Sequence, residues 1–183
     1  MKKKIIPLFL AAAVSVSGLL PIGAVQPVTV LAESGHPARL VDNAGLLDED
    51  EALELESKLD EISQEYDCDV VILTEETING AEPMDYADDY FDYEGYGMGE
   101  DNSGILFLIT MSERKWWIST HGEAIYDFTD AGQEYMAEQF QPDLSDGDYY
   151  DGFTTFADLC QEFIVQAQTG EPFNKDNLPE KPL

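Results

Sequence analysis

Two short runs, each with a continuous apolar centre, dominate the hydrophobic pattern of the chain. Residues 69–74 read DVVILT and residues 105–109 read ILFLI, and polar or glycine-containing segments bound each run. Runs of this length predict strands that are buried on both faces. A turn over 111–114 follows the second run, and 115–120, which contains both tryptophans, returns as its antiparallel partner. We expect the rest of the chain to pack around this hairpin.

Apolar residues at steps of three and four predict a helix before each of these two strands. Asp48 and Glu51 have the spacing of a capping box that opens the first helix. Pro83 is placed at the start of the second helix and Gly95 at its end. The inward residues are Ala52, Leu55, Leu59, Ile62 and Tyr66 in the first helix and Met84, Ala87 and Phe91 in the second.

Two more helices are predicted after the hairpin. Thr129 or Asp130 opens the third, which we expect to end where Pro142 interrupts it. Ser145 or Asp146 then opens the last helix. Its inward stripe consists of Tyr149, Phe153, Phe156, Cys160, Phe163 and Ala167.

The order of the elements predicts an α/β fold. A strand, a helix and a strand in succession form a crossover unit, so the 69–74 and 105–109 strands should be parallel with a right-handed connection. The antiparallel return strand makes the sheet mixed, and Arg39–Val41 is placed to add a short edge strand.

The first 32 residues have the pattern of a signal peptide. Lys2–Lys4 give a positive start and Ile5–Leu20 an apolar stretch, and the cleavage site is Val30–Ala32, with cleavage after Ala24 as the alternative. This pattern predicts an extracytoplasmic protein, either secreted or at the cell surface. Residues 39–168 then form the predicted domain, and 169–183, with three prolines, a polar tail.

The charge balance narrows the classes of partner. Nine basic residues stand against 38 acidic ones, a formal net charge of −29, whereas nucleic acids and anionic membranes are bound by clustered lysines and arginines. We therefore expect no nucleic-acid partner and no binding to an anionic lipid surface. Cations, cationic partners or plain solubility remain as explanations. The 183 residues are enough for one domain, and we expect a monomer.

The two cysteines, Cys68 and Cys160, are interpreted for an oxidising compartment. Cys68 opens a buried strand and Cys160 lies on the inward stripe of the last helix, so both face one core layer. We predict a disulfide between them. The competing interpretation is a pair of small buried hydrophobic side chains.

Three local motifs are reminiscent of phosphate or calcium chemistry, but structure explains each better. Asp67-Cys68-Asp69 has the D-x-D spacing of haloacid-dehalogenase phosphatases, yet that pair must follow its strand and here precedes one. The glycines at 95, 97 and 99 run from a helix into a strand, the reverse of a phosphate loop. The run DLSDGD over 143–148 lacks the spacing of an EF-hand. Without a Gly-x-Ser-x-Gly element, a serine hydrolase is not expected.

One group of polar residues should converge from separate loops. In an antiparallel hairpin the second strand ends beside the start of the first, which brings His121-Gly122 and the helix start at 129–130 towards Asp101-Asn102. We place the turn after the first short strand with them. Carboxylates that meet in this way either bind calcium or magnesium through oxygen, or cap backbone N–H groups and face solvent. The candidate cation ligands are Asp42, Asp101, Asn102 and Asp130, and the further candidate site residues are Arg114, His121 and Gly122.

Arg114 closes the hairpin turn and is one of only two arginines in the chain. It is either an anchor for a phosphate or an acidic partner, or a surface residue that neutralises Glu113. We expect its role to be mainly structural.

In this order the elements resemble the TPM domain. The residues that carry the resemblance are LVDNAGLL over 40–47, DVVILT over 69–74, Tyr86-Ala87, DNSGIL over 101–106, Arg114, Gly122, TDAG over 129–132 and the last helix. The resemblance covers about 39–168. The family is named for a thylakoid-lumen acid phosphatase, a photosystem II repair protein and a modulator of a nematode acetylcholine receptor.

The resemblance implies a three-layer α/β/α sandwich on the outer side of a membrane. Some members are described as phosphatases or calcium binders, and others as assembly or maintenance partners of membrane complexes. Two functions are therefore implied for this chain. The first is a binding or accessory factor for the cell envelope or a membrane-protein complex, and the second is a calcium- or magnesium-assisted acid phosphatase acting on phosphomonoesters. Many bacterial members continue into a transmembrane helix, whereas this sequence stops at Leu183. Three alternatives stay open: release, retention by an uncleaved N-terminal segment, and a C-terminal membrane segment missing from this sequence.

Overall fold

The computed structural model describes residues 36–180. The predicted signal peptide and the last three residues of the tail lie outside this range. The strands are β1 (Leu40–Asp42), β2 (Asp69–Glu75), β3 (Gly104–Thr110) and β4 (Lys115–His121). The helices are α1 (Glu49–Tyr66), α2 (Pro83–Glu94), α3 (Ala124–Asp127), α4 (Asp130–Asp146) and α5 (Tyr149–Ala167). No helix within the described range is long and apolar enough to cross a membrane.

The sheet has four strands in the order β1-β2-β3-β4. The first three are parallel, and β4 runs antiparallel to β3. The predicted parallel crossover, the hairpin and the mixed sheet are all confirmed. The registers place Val70 beside Ile105 and Ile105 beside Thr120, so the two predicted apolar runs lie next to each other at the centre of the sheet.

Helices cover both faces of the sheet, which makes the α/β/α sandwich that the resemblance implied. Alternate residues of β2 and β3 point to opposite faces, and the centre of each run is continuously apolar because both faces are covered. The face packed against α1, α4 and α5 includes Val70, Ile72, Ile105 and Phe107. The face packed against α2 consists mainly of Val71, Leu73, Leu106 and Leu108. Burying each of these side chains contributes roughly 1.5–3 kcal/mol.

The two parallel crossovers have opposite hands. Both step across the sheet in the same direction, from β1 to β2 and from β2 to β3. The helix α1 packs on one face and α2 on the other, and two such steps with helices on opposite faces cannot share a hand. The right-handed connection expected of crossovers therefore describes one of the two and not both.

The helix boundaries agree with the sequence pattern except at the end of α4 and the start of α5. Asp48 and Glu51 form the predicted capping box, and Gly95 ends α2 in the left-handed conformation. Met84, predicted to face inward, is 47% exposed.

Pro142 lies inside α4 and does not stop it, so the predicted end of this helix was wrong. A proline removes one backbone donor, but α4 continues because the next turn places Leu144 against the core. The helix ends instead at Gly147, which has a φ of 91°, and α5 begins at Tyr149 rather than at Ser145 or Asp146.

The disulfide predicted between Cys68 and Cys160 is not formed, because the structure holds both as free, buried thiols. Burial raises the pKa of Cys68 to about 12 and also raises the pKa of Cys160. Both side chains belong to the core between the sheet and α5. They act there as small hydrophobic groups, which was the competing interpretation.

The tail is polar in composition but packs on the domain. Phe173 is 9% exposed, and its ring lies 4.8 Å from that of Phe163 in α5. The hydroxyl of Thr129 donates a hydrogen bond of 2.7 Å to the carbonyl of Phe173. Residues that follow the predicted domain are thus part of the folded unit.

Candidate functional site

The candidate site residues lie at two opposite edges of the sheet. The amino edge is where β2 and β3 begin and β4 ends, and the carboxyl edge is where β1, β2 and β3 end and β4 begins. Asp101, Asn102, His121 and Gly122 lie at the amino edge, as the hairpin predicted. Asp42 and Arg114 lie at the carboxyl edge.

The predicted set of four cation ligands is therefore not brought together. Asp42 pairs with Thr74 and Thr74 with Ile109, whereas Asp101 precedes Gly104. Five residues of strand separate the two levels, about 16 Å. The placement was wrong because β1 is parallel to β2, which sends the turn after β1 to the edge opposite the start of β3.

Asp42 has a structural role that uses both of its carboxylate oxygens. It is 4% exposed and accepts hydrogen bonds from the backbone N–H groups of Leu46 at 3.1 Å and Leu47 at 3.0 Å. The hydroxyl of Thr74 donates a third bond. These contacts fold the turn between β1 and α1 onto the end of β2.

Asp130 is the first residue of α4, and its side chain is exposed. The capping is done by Thr129, whose hydroxyl accepts from the N–H of Gly132 at 3.2 Å. The negative charge of an acidic residue in the first turn of a helix interacts favourably with the helix dipole. This accounts for Asp130 without a bound ion.

An acidic cavity of about 260 Å³ lies at the amino edge. Acidic residues from three segments line it: Asp67 before β2, Glu100 and Asp101 before β3, and Glu123 and Asp127 after β4. We call it the amino-edge cavity. Of the predicted ligands it contains only Asp101. Within residues 36–180 no three His, Cys, Asp or Glu side chains are arranged to hold a metal ion.

Asp127 lines this cavity together with Glu123 and has a shifted pKa. Its pKa is raised to about 6, first by burial and second by the charge of Glu123. A carboxyl group with a raised pKa holds its proton more tightly in the folded chain than in the unfolded chain. Its contribution to stability therefore decreases as the pH rises from about 4 to about 6.

The substitution Asp127→Asn tests this electrostatic cost. We expect it to raise the free energy of unfolding at pH 7 by about 1 kcal/mol, after discounting for solvent screening. Below about pH 4 the aspartate is protonated in both states and the gain should vanish. Urea unfolding at both pH values measures the difference, with the exposed Asp130→Asn as the matched control. An equal effect at both pH values would contradict this origin.

Gly122 and His121 shape the amino edge without forming a reactive site. Gly122 has a φ of 60°, and a Cβ there would lie 2.6 Å from the carbonyl oxygen of Asp101, so only glycine fits. The ring of His121 stacks on Phe91 at 3.8 Å. Burial lowers the pKa of His121, against the opposing charges of Asp88 and Asp92.

A serine–histidine–aspartate grouping surrounds His121, and sequence reasoning missed it. Ser119 Oγ lies 2.9 Å from His121 Nε2 and donates to Asp88 in α2. Asp92 Oδ1 is 3.9 Å from His121 Nδ1, too far for a hydrogen bond. Ser119 is 4% exposed and its proton is directed to a carboxylate, so it is not an activated nucleophile. The i, i+2 spacing on one strand was visible in the sequence, but the contribution of α2 was not.

A buried cluster around Arg39 was also missed. Arg39 is 1% exposed, and its guanidinium pairs with Asp69 at 2.7 Å and with Asp60. The N–H groups of Arg39 and Leu40 donate to Glu56 at 3.1 and 2.5 Å. Burial raises the pKa of Glu56 and outweighs the backbone hydrogen bonds from Leu40 and Arg39, which lower it. The cluster ties β1 to α1 and β2, and a lone arginine before a short strand gave no sign of it.

Arg114 does not neutralise Glu113, because the structure gives no ion pair between them within the described range. Glu113 instead accepts from the Thr77 hydroxyl at 2.6 Å and from the N–H of Ile78 at 3.3 Å. The hydrogen bond from Thr77 is the main cause that lowers the pKa of Glu113 to about 2. Arg114 itself is exposed and has a φ of 54°.

The structure is a three-layer α/β/α domain: a mixed four-stranded sheet lies between two helical layers, and acidic loops lie at its amino edge. The sequence profile of the TPM domain matches residues 40–163, and the chain belongs to the TPM domain family. It is 26% identical over 141 residues to the UPF0603 protein YdjH of Bacillus subtilis (strain 168). That match covers 77% of this chain and 52% of YdjH, so the chain spans about half the length of this relative.

Solved structures show the same fold. The N-terminal domain of a P. gingivalis protein has a TM-score of 0.62 at 18% identity, covering 75% of this chain and 88% of that domain. The BA42 protein of Bizionia argentinensis has a TM-score of 0.56 at 16% identity, covering 74% of this chain and 91% of BA42. The N-terminal domain of cg2496 from Corynebacterium glutamicum has a TM-score of 0.57 at 16% identity, covering 82% of this chain and 97% of that domain.

Proposed function

We propose that this TPM-domain protein is an extracytoplasmic accessory factor that acts by binding, in the maintenance of the cell envelope or of a membrane-protein complex. The predicted signal peptide supports the location. The observation that carries the binding role is the amino-edge cavity, in which acidic residues from three separate segments face one space. A fold alone does not define an activity, so the proposal rests on this site.

The cavity is best suited to a hard cation, and we propose calcium, with magnesium as the competitor. Calcium takes several oxygen ligands in flexible geometry, whereas magnesium demands a tighter octahedron. The carboxylates are not arranged around one ion in the structure, so binding requires the loop before β3 to close on the cavity. Glu100 and Asp101 lie in that loop, which contains Gly97 and Gly99 in left-handed conformations.

Thermal unfolding with and without calcium tests the cation. After thorough chelation, we expect added calcium to raise the melting temperature, because an ion that binds only the folded chain stabilises it by mass action. The gain should shrink in Asp101→Ala and persist in Asp130→Ala, an exposed residue outside the cavity. Equal gains in all three proteins would contradict a site at the amino edge.

Hydrolysis of a phosphomonoester in the same samples separates the two functions that the family suggests. An accessory factor should leave p-nitrophenyl phosphate intact with calcium, with magnesium and with chelator. Hydrolysis that requires a divalent ion and is lost in Asp101→Ala would replace the accessory role with the alternative, a metal-assisted acid phosphatase.

A further inference from the structure

A long groove runs between the edge strand β4 and helix α4, at the side of the molecule away from β1. Two adjoining hollows of about 420 Å³ each form it, and they share Trp116 and Gln141. The hollow at the hairpin turn includes Arg114 and Lys115, and the other includes Trp117 and Glu134. We call this surface the β4–α4 groove. Both tryptophans of the chain lie in it.

The strand in this groove has a free edge. Within the described part of the chain, β4 is the last strand of the sheet, and no strand lies beyond it. The seven residues of β4 include no proline, and Trp117 is 39% exposed beside that edge. Proteins usually block such an edge because it is a template for pairing with another chain. An open edge flanked by a groove is the arrangement that accepts an added peptide strand.

The charged residues of the groove indicate which side chains an occupant needs to pair with them. Arg39 and Lys58 are paired with acidic residues, whereas Arg114 and Lys115 have no ion pair within residues 36–180 and are exposed. They form the positive end of the groove, and Glu134 and Glu138 lie towards the other end. A second copy of this chain is disfavoured as occupant, since each copy carries a net charge of −29.

The backbone of Arg114 gives independent support. Its φ of 54° lies in the left-handed region, which costs a residue other than glycine, asparagine or aspartate of order 1 kcal/mol. Glycine would serve this turn better. The turn itself does not favour an arginine here, and the exposed side chain of Arg114 is available to a partner.

We propose that the β4–α4 groove binds an extended segment of a partner protein, which adds a strand to β4. An acidic side chain of the segment pairs with Arg114 and Lys115, and an apolar side chain packs beside Trp117. This inference deepens the proposed accessory role, on which it rests, by naming the surface and the chemistry of the partner. The amino-edge cavity shares no lining residue with the groove, so the two sites are tested separately.

The probe is a capped hexapeptide, Asp-Thr-Val-Thr-Val-Lys, which has alternating strand-forming residues and no tryptophan. Its binding is read from the fluorescence of the protein, because both tryptophans lie in the groove. We expect a saturable change in emission. A peptide with N-methylated alternate residues cannot donate to the strand edge and should not bind. A peptide with lysine in place of the aspartate is more strongly attracted by the net charge, yet it should bind more weakly.

The protein variants locate the contact. Arg114→Gln should weaken binding about fivefold, the effect of an ion pair of about 1 kcal/mol, while Lys175→Gln, an exposed lysine outside the groove, should leave it unchanged. Arg114→Gly should weaken binding equally without lowering the melting temperature, which separates recognition from folding.

Three results would overturn the proposal. They are the absence of saturable binding, equal binding of the N-methylated peptide, and a dimer in sedimentation that Trp117→Ser dissolves, since a second copy would then occupy the edge. Calcium stabilisation and phosphatase activity, measured on the same preparations, judge the proposed function independently of these outcomes.

Discussion

Replacing Arg39 by alanine should lower the free energy of unfolding by about 3–5 kcal/mol, the cost of breaking a buried ion pair from one side. The side chain is 1% exposed, and its removal leaves Asp69, which is 3% exposed, without its cation. The contacts to α1 through Asp60 and to Met98 in the loop before β3 are lost with it. Urea unfolding followed by circular dichroism measures the change.

The matched control is Lys58→Ala. Lys58 pairs with Asp158, but the two side chains are 32% and 57% exposed, and exposed pairs contribute about 0–1 kcal/mol. If the two substitutions cost the same, the buried cluster does not hold β1 in place as we describe. Arg39→Met should recover part of the loss, because it restores apolar volume but leaves the carboxylate unpaired.

Asp42→Ala should cost about 2–4 kcal/mol, because it removes a carboxylate that accepts three hydrogen bonds and leaves two backbone N–H groups unsatisfied. Asp42→Asn keeps one acceptor oxygen and should cost about half as much. Neither substitution should change the response of the melting temperature to calcium, since Asp42 is at the opposite edge from the amino-edge cavity. A variant that kept its stability but lost the calcium response would return Asp42 to the cation site.

The local features of the fold were predictable because they depend on neighbours in sequence. The runs at 69–74 and 105–109 could only be buried strands, and the capping box at Asp48 depends on residues three apart. Pro142 was misjudged because the cost of one missing donor was weighed without the packing of Leu144. Helix ends are decided by tertiary contacts of this kind whenever a single local signal opposes them.

The candidate site was half predictable, for a reason of strand direction. An antiparallel hairpin depends only on residues that are close in sequence, and predicting it correctly placed His121 and Gly122 beside Asp101. The direction of β1 was also predictable, because β1, α1 and β2 form the same strand-helix-strand crossover as β2, α2 and β3. The turn after β1 was misplaced because that rule was used for the second crossover alone. The guanidinium cluster at Arg39 and the hydroxyl of Ser119 were missed for a different reason, since their partners come from helices distant in the sequence.

The anchoring of Phe173 on Phe163 separates two meanings of the word domain. The match to the family profile ends at 163, although the similarity to YdjH extends over 141 residues. The packed unit is longer, because the hydroxyl of Thr129 that caps α4 also donates a hydrogen bond to the carbonyl of Phe173. The domain that the profile defines and the unit that packs together therefore have different ends. A protein truncated at residue 163 would expose to solvent the apolar surface of Phe163 that the Phe173 ring covers.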